Sequence, residues 1–175
     1  MTLLDIDITG YETILLDRDG TINRQRQGDY VKIWEEFEFL PGVIETIARF
    51  SKTAKHIFIV TNQRGVGKGR MSIDALNSIH SHMIREIEKK GGRIDKIYFS
   101  IGLDHTDLTR KPNVGMWKQI LTDFSDVKAE TTLMIGDSDC DIEFAHNCCI
   151  DSIRVDKQNV IFIKETHCCP IKILK

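Results

Sequence analysis

Two carboxylates separated by a single residue end the first apolar segment of the chain. The stretch YETILLDRDGTIN covers residues 11–23, and Asp17 and Asp19 directly follow its apolar run. Because successive side chains of a strand point in opposite directions, both carboxylates would face one spot and Arg18 would point elsewhere. Carboxylates at the end of a buried strand are costly to desolvate unless something pairs with them. Their spacing therefore indicates a site that binds a cation or a positively charged group.

Other polar residues lie where later strands are predicted to end. Thr61 and Asn62 follow the second strand, Asp137 follows the fourth, and Arg110 and Lys111 come between the third strand and a helix. In an open parallel sheet, ligands bind outside the carboxyl ends of the strands. Three aspartates make an oxygen-rich site of the kind that Mg²⁺ prefers. Lys111 and Thr61 could hold phosphate oxygens and offset charge in a phosphoryl-transfer transition state.

This set of residue types supports phosphate hydrolysis in two steps. One aspartate can attack phosphorus and form an aspartyl phosphate. A second carboxyl two residues away can protonate the leaving oxygen and then activate water. The residues thus predict hydrolysis of a phosphate ester, with one carboxylate as nucleophile, the other as proton shuttle and a metal ion that neutralises their repulsion.

Strand-like and helix-like segments alternate along the chain. Strands are predicted at 13–17, 56–61, 96–100, 131–137 and 152–155, and helices at 41–52, 72–92, 113–124 and 139–148. This alternation indicates an α/β fold with a central parallel sheet flanked by helices. The segments at about 20–40 and 100–112 are too short for a large cap domain. We therefore predict one domain over residues 1–175, with its core at about 12–156 and a less regular tail at about 157–175.

Composition narrows the class of partner. The 175 residues carry a net charge of -2 with a pI near 6.3, which gives no electrostatic case for a nucleic-acid surface. No apolar run is long enough to span a membrane, and MTLLDIDITG lacks the basic start and apolar centre of a signal peptide. We expect a cytoplasmic protein without a membrane partner.

The cysteines do not form a recognisable framework. All five lie between Cys140 and Cys169, and an odd, clustered set is not typical of disulfides. The Cys148–Cys149 and Cys168–Cys169 pairs lie near His146 and His167, but adjacent cysteines lack the CxxC spacing of a zinc knuckle. Reduced thiols are the expectation.

Four motifs resemble those of the haloacid dehalogenase (HAD) superfamily of phosphohydrolases. In order, they read LLDRDGTIN, IVTNQRGVGKGR, RKPNVGMW and MIGDSDCDIE, and the resemblance covers residues 12–156. The segments DYV (29–31) and FEFLPGV (37–43) resemble the small, capless branch that holds D-glycero-D-manno-heptose 1,7-bisphosphate phosphatases and histidinol-phosphate phosphatases. The resemblance implies a Rossmann-like, HAD-like domain.

The resemblance also implies a role for individual residues. Asp17 would be the nucleophile and Asp19 the proton donor, while Thr61 and Lys111 would position the phosphoryl group. One Mg²⁺ per chain would bind Asp17, the backbone carbonyl of Asp19 and Asp137, with Asp141 steadying the loop. The expected substrate-binding residues are Arg18, Gln25, Arg26, Asn62, Gln63, Arg64 and Arg110.

Two departures from that branch bear on the metal and the substrate. The segment SIGLDHTDLTRKP has no cysteine where these phosphatases carry a zinc-binding loop, so we predict no zinc. Ser138 stands where heptose phosphatases tend to have Lys, which removes a candidate ligand for a second phosphate. The loops near the site nevertheless carry several arginines, which favours a small sugar bisphosphate, such as D-glycero-D-manno-heptose 1,7-bisphosphate, as the metabolite bound. A monomer is expected.

Other functions stay open at this stage. Histidinol phosphate is an alternative substrate, and the zinc-free loop with RKPNVGMW also resembles the phosphatase domain of polynucleotide kinase 3′-phosphatases. A signalling receiver domain would carry its phosphorylated Asp after the third strand, where this chain reads Ser100-Ile101-Gly102. A catalytically dead binding module is the last alternative, and the full set of acidic and basic residues argues against it.

Some conspicuous residues are expected to be structural. The GVGKGR segment at 65–70 lacks the GxxxxGK[ST] pattern of a phosphate loop, so a turn is predicted there. Trp34 and Trp117 are expected to pack in the core. His80 and His82 lie on a charged helix and are expected to be solvated.

Overall fold

A six-stranded sheet forms the centre of the structure, a computed structural model that describes residues 5–155 and 160–161. The strands are β1 (Thr13–Leu16), β2 (His56–Asn62), β3 (Lys96–Ser100), β4 (Thr132–Gly136), β5 (Asp151–Val155) and β6 (Val160–Ile161). Their spatial order is β3-β2-β1-β4-β5-β6. The first five strands are parallel, and β6 pairs antiparallel with β5.

Five helices connect the strands. They are α1 (Val43–Phe50), α2 (Arg64–Gly67), α3 (Ile73–Glu88), α4 (Gly115–Asp123) and α5 (Asp139–Cys148), with short 3₁₀ helices at Trp34–Glu36 and Ala129–Thr131. Ser72 begins α3 by accepting a hydrogen bond from the backbone N–H of Ala75. A reciprocal capping box between Ser138 and Asp141 begins α5. Local hydrogen bonding thus places two helix starts at the ends of functional loops.

Two apolar layers cover the two faces of the sheet. Alternate strand residues such as Leu16 and Ile59 pack with α1 and α3, and their neighbours such as Leu15 and Phe58 pack with α4 and α5. Burial on both faces explains why these strands read as continuous apolar runs rather than as alternating ones. The prediction of a parallel sheet flanked by helices is confirmed.

The register brings the strand ends to one level. Leu16 lies beside Ile59 of β2 and beside Ile135 of β4. Because parallel strands advance together, Asp17, Thr61 and Asp137 all leave the sheet at its carboxyl edge. This edge is where the sequence predicted the site.

The predicted elements differ from the observed ones in few places. Each of the five predicted strands is present to within one residue at either end. Helix α5 matches its predicted range, whereas α1, α3 and α4 are shorter than predicted by one to four residues at each end. The segment expected to be a turn overlaps the one-turn helix α2. Within residues 5–155 the segments between β1 and α1 and between β3 and α4 contain turns and one short 3₁₀ helix, so no cap domain is built there. No helix among the described residues is both long and apolar enough to cross a membrane.

The expectation that His80 is solvated is wrong. His80 lies on the buried face of α3 with Leu76, Ile79, Met83 and Ile87, and 6% of it is exposed. Helical periodicity groups positions 76, 79, 80, 83 and 87 on one side, and the polar character of histidine concealed that pattern. Trp34 packs as expected, stacked between Phe37 and His82. His167, Cys168 and Cys169 lie outside the described residues.

Candidate active site

A cavity of about 130 Å³ opens at the carboxyl edge of the parallel strands. It is lined by Asp17, Asp19, Gln25, Thr61, Asn62, Lys111, Asp137, Ser138, Cys140 and Asp141. The strand ends and the starts of the following loops supply most of these residues. The structure therefore brings together all four residues predicted to be catalytic and all three predicted to hold the metal.

Lys111 is the buried cation of this cavity, with only 2% of its surface exposed. Its Nζ donates to Asp17 Oδ1 at 2.7 Å, to Asp141 Oδ1 at 2.5 Å and to the carbonyl of Val60 at 2.7 Å. The three hydrogens of the ammonium group are therefore all used. Burial would lower the pKa of Lys111, but the carboxylates of Asp141 and Asp17 raise it overall, which keeps the ammonium charged.

Asp17 shares that cation with another carboxylate. Burial raises the pKa of Asp17, and the charge of Asp141 acts in the same direction, while Lys111 opposes both. One ammonium group thus faces two carboxylates, and the pair leaves excess negative charge in a buried place. A further cation bound here would balance this excess negative charge.

Three carboxylates are close enough to hold that cation. Asp17, Asp137 and Asp141 each offer an oxygen within 4.8 Å of the others. Two glycines allow this close approach: a Cβ at Gly20 would lie 2.1 Å from Asp137 Oδ2, and one at Gly136 would lie 2.4 Å from Asp141 Cβ. The all-oxygen donor set suits a hard divalent cation. Asp141 also accepts from the Ser138 backbone and hydroxyl, consistent with its expected role in steadying the loop.

Asp19 lines the same cavity but is not one of the three clustered carboxylates, and it has hydrogen-bond donors of its own. Arg18 Nη2 donates to both of its carboxylate oxygens at 2.9 and 2.8 Å, Asn23 Nδ2 donates to one at 3.0 Å and Gln63 Nε2 to the other at 2.9 Å. Burial would raise the pKa of Asp19, but the charge and hydrogen bonds of Arg18 and the two amides lower it overall. The two carboxylates of the DRD sequence therefore have different surroundings, and the metal contact predicted through the Asp19 carbonyl stays a prediction.

Arg18 makes contacts that strand alternation did not predict. Its guanidinium contacts Asp19 and His80 instead of pointing elsewhere. Only 1% of Arg18 is exposed, yet it lines the second cavity described below, so the prediction that it binds substrate stays a prediction. A guanidinium buried beside a carboxylate is stabilised by pairing with it.

Two amides, those of Asn62 and Gln63, hold residues predicted to be catalytic. Asn62 Nδ2 donates to the Lys111 carbonyl at 3.1 Å, and the Lys111 backbone N–H donates to Asn62 Oδ1 at 2.9 Å. Gln63 Nε2 donates to Thr61 Oγ1 at 3.0 Å as well as to Asp19. Thr61 thus accepts through its oxygen and keeps its own O–H to donate. Asn62 and Gln63, predicted to bind substrate, both hold other site residues.

A second cavity of about 200 Å³ adjoins the first and shares Asp19, Gln25 and Asn62 with it. It is lined by three arginines predicted to bind substrate, Arg18, Arg26 and Arg64. Arg26 lies 3.4 Å from a carboxylate oxygen of Glu36, and Arg64 donates to the carbonyl of Leu103 at 3.2 Å. Arg110 lines neither of these two cavities, and its buried Nη1 has no hydrogen-bond partner.

The amino-acid sequence matches a known group of proteins. A family model described as polynucleotide kinase 3 phosphatase covers residues 12–156. The chain is 39% identical to a D-glycero-alpha-D-manno-heptose-1,7-bisphosphate 7-phosphatase of Mycobacterium bovis, over 77% of this chain and 71% of that one. It is 30% identical to a D-glycero-beta-D-manno-heptose-1,7-bisphosphate 7-phosphatase of Rhodopseudomonas palustris, over 86% and 87% of the two chains.

The fold agrees with these sequence relationships. A crystal structure of D,D-heptose 1,7-bisphosphate phosphatase from B. bronchiseptica, complexed with magnesium and phosphate, superposes with a TM-score of 0.75. It is 32% identical and the match covers 81% of this chain and 78% of that one. The chain belongs to the HAD phosphatases.

Sequence reasoning missed three residues of this HAD phosphatase site. Asn23 holds Asp19, and it ends the quoted motif LLDRDGTIN without having been given a role. Cys140 lines the first cavity, with Sγ 3.6 Å from Asn62 Nδ2. From the sequence, the cysteines were considered only as disulfide or zinc residues. His80 contacts Arg18, and its place among apolar positions of α3 was the available signal.

Proposed function

We propose that the protein is a Mg²⁺-dependent phosphatase that hydrolyses a small sugar bisphosphate, with D-glycero-D-manno-heptose 1,7-bisphosphate as the first candidate. The observation that carries this proposal is the contrast between Asp17 and Asp19. Asp17 lies in a buried cluster with a lysine and two further carboxylates, while Asp19 is held separately by nitrogen donors. Two carboxyl groups in unlike environments can divide nucleophilic and proton-transfer roles between them.

The side chains support a balanced two-step reaction. Asp17 attacks phosphorus, the bond from phosphorus to the sugar oxygen breaks, and Asp19 gives that oxygen a proton. In the second step Asp19 takes a proton from water, the water oxygen attacks phosphorus, and Asp17 leaves as a free carboxylate. Lys111 and the Thr61 hydroxyl hold the phosphoryl oxygens and orient them for both steps.

Asp19 has to exchange a hydrogen bond before it can carry a proton. Four N–H contacts occupy the lone-pair positions of its ionised carboxylate. Gln63 and Asn23 are donors with an alternative acceptor, because Gln63 Nε2 lies 3.0 Å from Thr61 Oγ1 and Asn23 Nδ2 lies 3.1 Å from the Arg24 carbonyl. A small rotation of the Gln63 amide toward Thr61 would free one lone-pair position on an oxygen of Asp19.

The acidic cluster fits one divalent metal ion. Asp17, Asp137 and Asp141 would supply its protein ligands, and Lys111 balances part of the remaining charge. When bound, Mg²⁺ would neutralise the repulsion between the carboxylates and the incoming phosphate. The relative from B. bronchiseptica was crystallised with magnesium and phosphate, which supports this choice of metal.

Metal removal gives a direct test. Treatment with EDTA is expected to abolish phosphatase activity, and added Mg²⁺ is expected to restore it, because uncompensated carboxylates repel a phosphate dianion. Elemental analysis of the purified protein should find less than stoichiometric zinc. One zinc per chain, or full activity in EDTA, would contradict the proposed metal chemistry.

The second cavity is the reason to expect a second anionic group on the substrate. Arg26 and Arg64 line it together with Asp19. Hydrogen bonds to charged groups contribute about 1.5–3 kcal/mol each. A sugar bisphosphate should therefore show a kcat/KM about tenfold or more above that of the matching monophosphate.

A substrate panel tests this expectation. It comprises the alpha and beta anomers of heptose 1,7-bisphosphate, the corresponding monophosphates, histidinol phosphate and a 3′-phosphorylated oligonucleotide. The Arg64→Gln variant should reduce the preference for bisphosphates, while Arg85→Gln, an exposed change on α3, should not. Highest activity on the oligonucleotide, with steep salt dependence, would favour polynucleotide 3′-phosphatase activity instead. Highest activity on histidinol phosphate would contradict only the expectation of a second anionic group on the substrate, and the proposed catalytic roles would stand.

A cytoplasmic location and a monomeric state stay predictions.

A further inference from the structure

Arg18 and His80 form a buried pair directly behind Asp19. Arg18 Nη1 lies 3.1 Å from His80 Nε2, and Arg18 Nη2 contacts both oxygens of Asp19. The histidine comes from the middle of α3, 62 residues from Arg18 in sequence. A side chain of the outer helix layer is thus two contacts away from a carboxylate at the sheet edge.

His80 is an acceptor in this pair. Burial lowers the pKa of His80 to about 3, and the positive charge of Arg18 acts in the same direction, so the ring is neutral. A guanidinium can only donate, so Nε2 accepts and the proton of the neutral ring belongs to Nδ1. The ring of Phe99 lies edge-on at 5.9 Å and completes the buried surroundings.

The contact between Arg18 and Asp19 does not fix the rotation of the guanidinium about Nη2. A single nitrogen, Nη2, spans both carboxylate oxygens, rather than two nitrogens forming the parallel fork that orients an arginine–carboxylate pair. The guanidinium could pivot about this nitrogen while keeping the ion pair. The bond from Nη1 to His80 blocks that pivot. Arg18 Nε already lacks a partner, so losing His80 would leave a second buried N–H without one.

We propose that His80 is a positioning residue of the phosphatase reaction, because it orients Asp19 for proton transfer by holding the Arg18 guanidinium. The inference rests on the proposed function and adds a residue to it. Arg18, by the same geometry, holds Asp19. Without the His80 acceptor the guanidinium is free to pivot about Nη2, so one of the three side chains that hold Asp19 no longer has a fixed orientation.

Two substrates with different leaving groups can distinguish a positioning role of His80 from a packing role. A sugar alkoxide needs a proton to leave, whereas p-nitrophenolate leaves without one. The parameter kcat/KM reports the steps up to leaving-group departure, so it detects the proton donor even if the second step limits turnover. Misplacing Asp19 should therefore reduce kcat/KM for a sugar phosphate much more than for p-nitrophenyl phosphate.

The test compares variants on both substrates. His80→Leu removes the acceptor at similar volume and is expected to lower kcat/KM for the sugar bisphosphate by about tenfold, part of the 10²–10⁴-fold that a proton donor contributes. The value for p-nitrophenyl phosphate should change by less than about threefold on the same reasoning. His80→Gln, whose carbonyl can accept from Arg18, should recover most of the loss. Asp19→Asn marks the full effect, and His82→Leu, on the same helix, serves as the control.

Each outcome has a clear meaning. Equal losses on the two substrates, or failure of His80→Gln to recover activity, would overturn the positioning role and leave packing as the function of His80. If His80→Leu does not fold, His80→Asn provides the same contrast with His80→Gln, because its shorter side chain does not reach Arg18. A wild-type protein inactive on both substrates would instead overturn the proposed function.

Discussion

Replacing Asp17 with asparagine is expected to abolish turnover, lowering kcat by roughly 10⁴-fold or more, the scale on which loss of a nucleophile acts. The carboxamide is a poor nucleophile and a weaker ligand for a divalent cation. The fold should persist, because Lys111 keeps Asp141 and the Val60 carbonyl as partners. Steady-state kinetics on the preferred substrate measures the loss.

A covalent readout strengthens this experiment. Acid-quenched wild-type enzyme should contain a peptide that includes Asp17 and carries the added mass of a phosphoryl group, and the asparagine variant should not. Asp139→Asn is the matched control, since Asp139 lies two residues after Asp137 but is 80% exposed and pairs with Arg154. Activity near the wild-type level in Asp17→Asn would contradict an aspartyl-phosphate mechanism.

Replacing Lys111 with methionine should damage both activity and stability. The ammonium group pairs with two buried carboxylates, and removing one partner of a buried ion pair destabilises a protein by about 3–5 kcal/mol. Methionine fills a similar volume, so the loss reports charge rather than a cavity. Denaturant unfolding in EDTA gives the change in unfolding free energy, and kinetics with Mg²⁺ gives the change in turnover.

A double variant separates the two effects. Adding Asp141→Asn to Lys111→Met removes one of the two stranded carboxylates and should recover part of the lost unfolding free energy. Activity should not return, because the cation that holds the phosphoryl group is still missing. An unchanged unfolding free energy in Lys111→Met, or recovered turnover in the double variant, would show that the buried cation does not have the role proposed here.

The amino-acid sequence determined the strands and the residues at their ends. Buried strands of a parallel sheet read as apolar runs, and the residues that follow them must lie at one edge. This local logic located Asp17, Asp19, Thr61, Lys111 and Asp137, all of which line one cavity.

Only the tertiary structure decided which side chains meet. Strand order places Lys111 at 2.7 Å from Asp17 although 94 residues separate them in sequence, and no local pattern contains that distance. Arg18 was expected to point elsewhere than Asp17 and Asp19, and instead its buried guanidinium pairs with Asp19. His80 was expected in solvent, yet the packing of α3 on the sheet buries it against that arginine. Side-chain alternation fixes where a residue starts, whereas the partner of a buried charge is set by the elements that pack around it.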